Sequence, residues 1–426
     1  MKLHIENFAK IKDATLELNG LTVIAGNNNT GKSTVGKILY SIFRGLSNID
    51  VRVKRAVRET VGNALMHPFQ GLKISDGEIE SIVGGRATAE EVFRRAFARG
   101  LDGVKLPQER IDSVAQDFLP SIKERISQVL DMPPDKIAKR ILLGVFDCVF
   151  FHQFHPLKPD VPNAVIEFTI KDETNRLEFG SRYWKMAVPT KLFSKAHFIA
   201  NPDIVNLINV KEFLANQTVL SKTLDKYTYE LARSLCEEEG EDESSSSASG
   251  AVADERLSPI ETMLDSVIRG RIGQDQSNDA ALYEDGNSEP TKFGNLSMGL
   301  KAFVLLRMMV EREILSDQDV LILDEPEIHL HPEWQVAYAK AIVQLQQAFH
   351  LTVLVTTHSP FFVNALQRFS FTEGTPGETN FYLSERDAAH GGYCTFVSLE
   401  HRTGPIFGTF NRAYEAIEPA PYPEDF

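Results

Sequence analysis

An α/β fold with a mainly parallel core sheet, an antiparallel β-subdomain and a helical insertion follows from three features of the sequence. Two short, continuously apolar runs, Val320–Leu323 and the stretch LTVLVTT from Leu351, end in polar residues and alternate with helical segments, as buried parallel strands do. The chain opens in strict alternation, with Leu3, Ile5 and Phe8 and then Ala14, Leu16 and Leu18, which reads as a hairpin. From about Arg44 to Leu157 the periodicity is helical.

Composition permits such a fold and removes other classes. With 426 residues, 42% hydrophobic and 24% charged, the chain can bury one large core or two and is not a disordered protein. Its 59 acidic against 45 basic residues give a net charge of −14, so any nucleic-acid contact must be a local patch. Cys148, Cys236 and Cys394 are widely spaced, without the CxxC pairs of a zinc ribbon or the even spacing of a disulfide framework. A reducing cytoplasm fits them. The N-terminal MKLHIENFAKIKD has no apolar core for a leader, and the apolar runs fall far short of the roughly 20 residues of a membrane span. A soluble protein without a membrane role is expected.

Taken in order, residues 1–45 hold the hairpin, the apolar strand Leu21–Ala25, the loop GNNNTGKST and a helix from Val35. Residues 46–157 form the helical insertion, with segments Ala89–Arg99, Ser113–Leu130 and Pro134–Phe146 between Gly and Pro punctuation. Residues 158–235 return to strands, AVIEFTI and RLEF and then KAHFIANPD, a strand ending in a polar loop. Residues 236–256 are an acidic, serine-rich linker that cannot bury apolar area. Residues 257–400 carry the helix opened by NLSMGLKAF, the strand DVLILDE, a helix over Glu333–Phe349 and the strand LTVLVTTH, and residues 401–426 are a tail.

The densest chemical signal is Gly26-Asn27-Asn28-Asn29-Thr30-Gly31-Lys32-Ser33-Thr34, the full G-x-x-x-x-G-K-[ST] pattern between a strand and a helix. Glycines let backbone N–H groups turn inward around a triphosphate, and the positive end of the following helix adds to their pull. Lys32 is placed to reach the β and γ phosphates of ATP and Ser33 to hold Mg2+. At the end of the strand Asp319–Leu323, Asp324 is placed to orient Mg2+ and Glu325 to take a proton from, or polarise, an attacking water. Upstream, Leu296-Ser297-Met298-Gly299-Leu300-Lys301 puts a hydroxyl and a glycine at a helix start, where free N–H groups can receive a phosphate.

With these three elements in this order, the sequence resembles the ABC-type ATPases, in the branch containing the SMC, RecF and OLD proteins, whose signature reads LSxGxK. The resemblance implies an ABC ATPase head in which Ser297, Gly299 and Lys301 act in trans, on ATP held by the other subunit of a homodimer or higher homo-oligomer. It makes His358, in Thr356-Thr357-His358-Ser359-Pro360, the switch histidine that senses the γ-phosphate, beside Glu325 as the catalytic carboxylate. Leu330 and His331 of DEPEIHLHP occupy the position of the dimer-contacting D-loop. A metal set of His329, His331, Glu327 and Glu333 is a weaker reading of the same stretch. The glutamine of the Q-loop has no clear match; Asn201 stands at the corresponding strand end, and either its amide replaces the glutamine or the role is absent.

The rest of the chain narrows the role. Pro68, Gly100, Pro107, Pro133 and Pro134 break the insertion and exclude SMC-length coiled coils. The 68 residues after His358 are too few for the Toprim nuclease of OLD-type proteins, so none is expected. On a helix, Val51, Lys54, Arg55 and Arg58 share one face with Arg52 beside it, a candidate DNA contact, although a solvated face is the plainer reading. Arg94, Arg95 and Arg99 follow it; His152 and His155 read as packing residues. The organisation resembles stand-alone ATPases of prokaryotic antiphage systems such as Septu and PARIS, which implies an effector partner, a nuclease, encoded nearby. A RecF-like DNA clamp of repair and a slow-turnover nucleotide-gated scaffold stay open as alternatives; ABC transport is disfavoured by the D-loop form.

Overall fold

In the computed structural model of the protein, the residues described are 1–69, 71–101, 103–154, 162–180, 184–186, 190–236, 249–275, 279–374, 376–387, 392–400 and 402–408. The chain divides into two units. One comprises Met1–Arg44, Val145–Ala187 and Ser194–Phe426, the other Gly45–Gly144 and Val188–Phe193.

The N-terminal alternation becomes β1 (Lys2–Phe8) and β2 (Ile11–Glu17), followed by the fully buried β3 (Leu21–Gly26) and α1 (Lys32–Leu46). Helices α2 (Ile49–Met66), α3 (Asp76–Val83), α4 (Ala89–Arg99), α5 (Gln108–Leu130) and α6 (Pro134–Phe150) come next. Within the second unit Val61, Leu65, Phe93, Phe97, Ile111 and Leu119, recurring at helical spacing, bury one apolar cluster. The start of α4 is fixed by a reciprocal cap: Thr88 accepts from the Glu91 N–H, and Glu91 accepts from the Thr88 N–H at 2.8 Å. α5 begins five residues before the expected Ser113, directly after Pro107, and carries Pro120 inside it.

Strands return as β4 (Ala164–Ile170), β5 (Glu173–Phe179), β6 (Trp184–Met186) and β7 (Ala196–Ile199). Then come α7 (Val210–Thr223), α8 (Lys226–Cys236), α9 (Ser249–Val267), a small sheet of β8 (Gly270–Gln274), β9 (Ala280–Glu284) and β10 (Thr291–Lys292), and α10 (Met298–Glu311). The chain continues through β11 (Val320–Asp324), α11 (Pro332–Ala348), β12 (Thr352–Thr357), α12 (Pro360–Thr372), β13 (Thr379–Asp387) and β14 (Tyr393–Ser398).

One sheet, in the order β6-β5-β4-β1-β2-β14-β13-β3-β12-β11-β7, runs through the first unit. Its half from β13 to β7 is parallel throughout, and the half from β6 to β2 is antiparallel. The antiparallel strands are therefore not a sheet of their own: β2 pairs with β14 and joins them to the core. Residues 158–235 are correspondingly divided, because β4 pairs with β1 while β7 pairs with β11 at the other edge. Of the acidic linker, 237–248 lie outside the described residues, and from Ser249 the chain is helical as α9. His155 and residues 409–426 also lie outside them.

Candidate functional site

Because β3, β12, β11 and β7 are parallel, they end at the same edge of the sheet, where ligands bind in such folds. The register places Ala25 beside Thr357, Thr356 beside Asp324 and Leu323 beside Ile199. The residues that follow these strand ends, Gly26, His358, Glu325 and Asn201, are thereby brought to one edge.

The phosphate loop is built from three left-handed backbone positions, Gly26 (φ 152°), Asn29 (φ 64°) and Gly31 (φ 84°). Gly26 admits no side chain, since a Cβ there would lie 2.4 Å from the carbonyl oxygen of Ser384. Thr30, almost fully buried, donates to the Asn27 carbonyl at 2.8 Å and shares a 2.6 Å hydroxyl contact with Ser384, so β13 braces the loop from the side. Lys10 donates to Asn29 Oδ1 at 2.6 Å, while Asn27 and Asn28 are exposed. The first turn of α1, Lys32 to Thr34, follows directly, and its N–H groups lack intrahelical partners.

Lys32 is buried, and its ammonium donates to the carbonyls of Gly26 (3.0 Å) and Asn27 (2.9 Å) inside the loop. Burial pushes its pKa down, opposed by Glu325 and Asp324. Burial likewise raises the Asp324 carboxyl, with hydroxyl bonds from Thr356 and Ser33 pulling the other way. A hydroxyl and a carboxylate, both hard oxygen donors side by side at the helix start, are a donor set that fits Mg2+. Glu325 is a non-glycine residue at φ 52°, held there by an N–H bond to the Thr356 carbonyl at 3.0 Å. Its carboxylate lies between two groups, with Oε1 3.6 Å from Lys32 Nζ and Oε2 3.5 Å from His358 Nδ1.

Asn201 Oδ1 accepts from the Asp203 N–H at 2.8 Å and caps a short 3-10 helix over Pro202–Leu207, so its oxygen is engaged in its own turn. Ser297 caps α10, accepting from Leu300 N–H, and is exposed; Gly299 is buried with its Cα against the Trp334 ring. Lys301 is turned inward, 5% exposed, donating to Asp203 at 2.8 Å, and is not presented at the surface with Ser297. Leu330 is buried and His331 is exposed at the start of α11. His329, His331, Glu327 and Glu333 do not converge; among the described residues the group whose ligand atoms do is His4, Glu6 and Asp13.

The basic run offers few uncommitted charges. Arg52 donates to the Gly45 carbonyl at 2.9 Å, Arg55 pairs with Glu59 and Arg58 with Glu80, leaving Lys54 exposed beside them. Arg94 pairs with Glu90 and Asp112, and Arg99 with Glu78. Acids on the same and neighbouring helices thus pair Arg55, Arg58, Arg94 and Arg99. The sequence assigns no role to Thr356, Ser384 or Asp203; only Thr356, inside the switch motif, carries a local signal.

Parallel strand ends, phosphate loop and acidic strand end together define a P-loop ATPase domain. The chain belongs to the family described as "AAA domain, putative AbiEii toxin, Type IV TA system", whose profile matches residues 52–364. A second profile, "AAA ATPase domain", matches residues 1–82. Among curated proteins the chain is similar to the "Retron Vc95 probable ATPase" of Vibrio cholerae serotype O1 biovar El Tor, at 22% identity over 383 residues, 83% of this chain and 68% of that protein. Similar solved structures include an Smc head bound to the C-terminal winged-helix domain of ScpA (TM-score 0.42, 11% identity, 93% of this chain and 97% of that one). Another is the SMC head domain from Thermotoga maritima (TM-score 0.37, 12% identity, 93% and 98%). No helix among the described residues is long and apolar enough to cross a membrane.

Proposed function

We propose that the protein binds ATP with Mg2+ at this sheet edge, hydrolyses it as a head-to-head dimer, and uses the cycle to control a separate effector, a nuclease, in prokaryotic antiphage defence. The observation that carries the enzymatic part is the Glu325 carboxylate, set between Lys32 and His358 on a strained backbone position. Backbone N–H groups of the 27–34 loop and the Lys32 ammonium receive the phosphates, Lys32 exchanging its two carbonyl partners for phosphate oxygens. Ser33 and Asp324 hold Mg2+, which supplies neutralisation of phosphate charge when bound. Glu325 accepts the proton of the attacking water, and His358 stands beside it at the γ-phosphate end. The exposed Ser297 at the start of α10 and the exposed His331 support a second copy as the provider of the missing face.

Control of an effector is supported by similarity to a retron ATPase. The test is co-expression of Glu325→Gln protein with the product of its neighbouring gene, purification with ATP and Mg2+, and measurement of mass and bound polymer. A nucleotide-dependent dimer carrying a second protein is expected. A dimer that retains DNA and no protein would favour the repair clamp, and a monomer under ATP would remove the sandwich.

A further inference from the structure

We propose that Glu327 is a positioning residue, whose buried carboxyl fixes the switch turn so that the His358 ring faces Glu325. The inference rests on the ATPase reading above. Glu327 lies two residues beyond Glu325 and is 3% exposed. Its Oε1 accepts from the Thr357 hydroxyl and from the His358 N–H at 3.1 Å, so one oxygen grips both residues that end β12 and begin the turn. The same oxygen is 3.9 Å from His358 Nδ1.

Two buried polar atoms here have no hydrogen-bond partner, Glu327 Oε2 and His358 Nδ1. Native interiors rarely leave such atoms bare, and those that persist cluster where strain or chemistry keeps them. Burial pushes the Glu327 carboxyl above its ordinary value, the Thr357 and His358 bonds opposing.

A second tie runs parallel to the first. Gln335 donates to the Leu330 carbonyl at 3.1 Å and its Oε1 accepts from the Ser359 hydroxyl at 3.2 Å, while the Ser359 N–H donates to Thr357 Oγ1 at 3.0 Å. The segment 327–335, which carries the exposed Ile328 and His331, is thus bonded to 357–359 at both ends.

The experiment compares full-length protein carrying Glu327→Ala, Glu327→Gln or Thr357→Val, with Glu325→Gln alongside, measuring kcat and KM for ATP. Glu327→Ala removes the acceptor of two donors and is expected to lower kcat 10- to 100-fold with KM within about threefold, since Lys32 and Ser33 are untouched. Glu327→Gln keeps an acceptor oxygen in place and restores most of that loss. Thr357→Val, which removes one of the two donors, is expected to lower kcat by a smaller factor and decides the matter if Glu327→Ala does not fold. Parental kcat in Glu327→Ala or in Thr357→Val, with Glu325→Gln inactive, overturns the positioning role alone. An equal loss in the Gln and Ala variants overturns it too, because the acid and not its acceptor geometry would then be required. Full turnover in Glu325→Gln overturns the ATPase reading and this inference with it.

Discussion

The ammonium of Lys301, buried one turn into α10, donates at 2.8 Å to Asp203 in the short helix that Asn201 caps. This bond adds a polar tie between the signature helix and the polar loop that leaves β7 beside the Glu325 strand, which also share an apolar core through Ile204 and Val205.

Replacing Lys301 by Met keeps the volume and removes the tie. A charge-assisted bond of this kind is worth about 2 kcal/mol, so a loss of that order in chemical denaturation is expected. ATP turnover should fall with it, because the start of α10 loses its polar tie to the loop after β7. Unchanged stability and turnover would show that the bond is incidental.

Gly26→Ala tests the brace between the phosphate loop and β13. The added Cβ meets a backbone carbonyl at 2.4 Å from a φ of 152°, so neither rotation nor a side-chain shift relieves it. A destabilisation of about 2 kcal/mol and at least a tenfold weaker ATP affinity are expected, read by denaturation and nucleotide titration. Wild-type values for both would contradict the geometry of the loop.

The Arg99 guanidinium on Glu78, helped by Ser75, holds that carboxyl down to about 2. A carboxyl depressed in the folded state stabilises it above the unfolded value and loses that contribution as pH falls through the folded one. The window is therefore about pH 4.5 to 2. Glu78→Gln should lower the unfolding temperature at pH 7 and show a shrinking penalty as pH falls through that window. A penalty independent of pH would place the contribution elsewhere.

Much of the site was legible because its parts are local. Residues 26–34, 319–325 and 351–358 each join a buried strand to a loop whose residue types announce their chemistry, and the parallel register then aligns them without further information. Pairings across long sequence distance were not legible. Nothing near Ser384 marks it as the brace of Thr30, and nothing in AVIEFTI distinguishes pairing with β1 from a separate sheet. The string LSMGLK gives Lys301 a role in trans beside Ser297, but nothing in it shows that Asp203, 98 residues away, turns the side chain in. The basic run from Arg52 looked free because Glu80 and the Gly45 carbonyl are brought to it only by folding, although Glu59, one helical turn beyond Arg55, was visible in the sequence.

The most direct measurement of the central claim is ATP turnover by the purified protein and its Glu325→Gln variant, with ATP binding followed in parallel. If Glu325 takes the proton of the attacking water, the variant should bind ATP at least as well as the parent and hydrolyse it 100-fold or more slowly, a difference of about 2.7 kcal/mol in the barrier. Equal turnover in both proteins would contradict the assignment of this edge as the hydrolytic site.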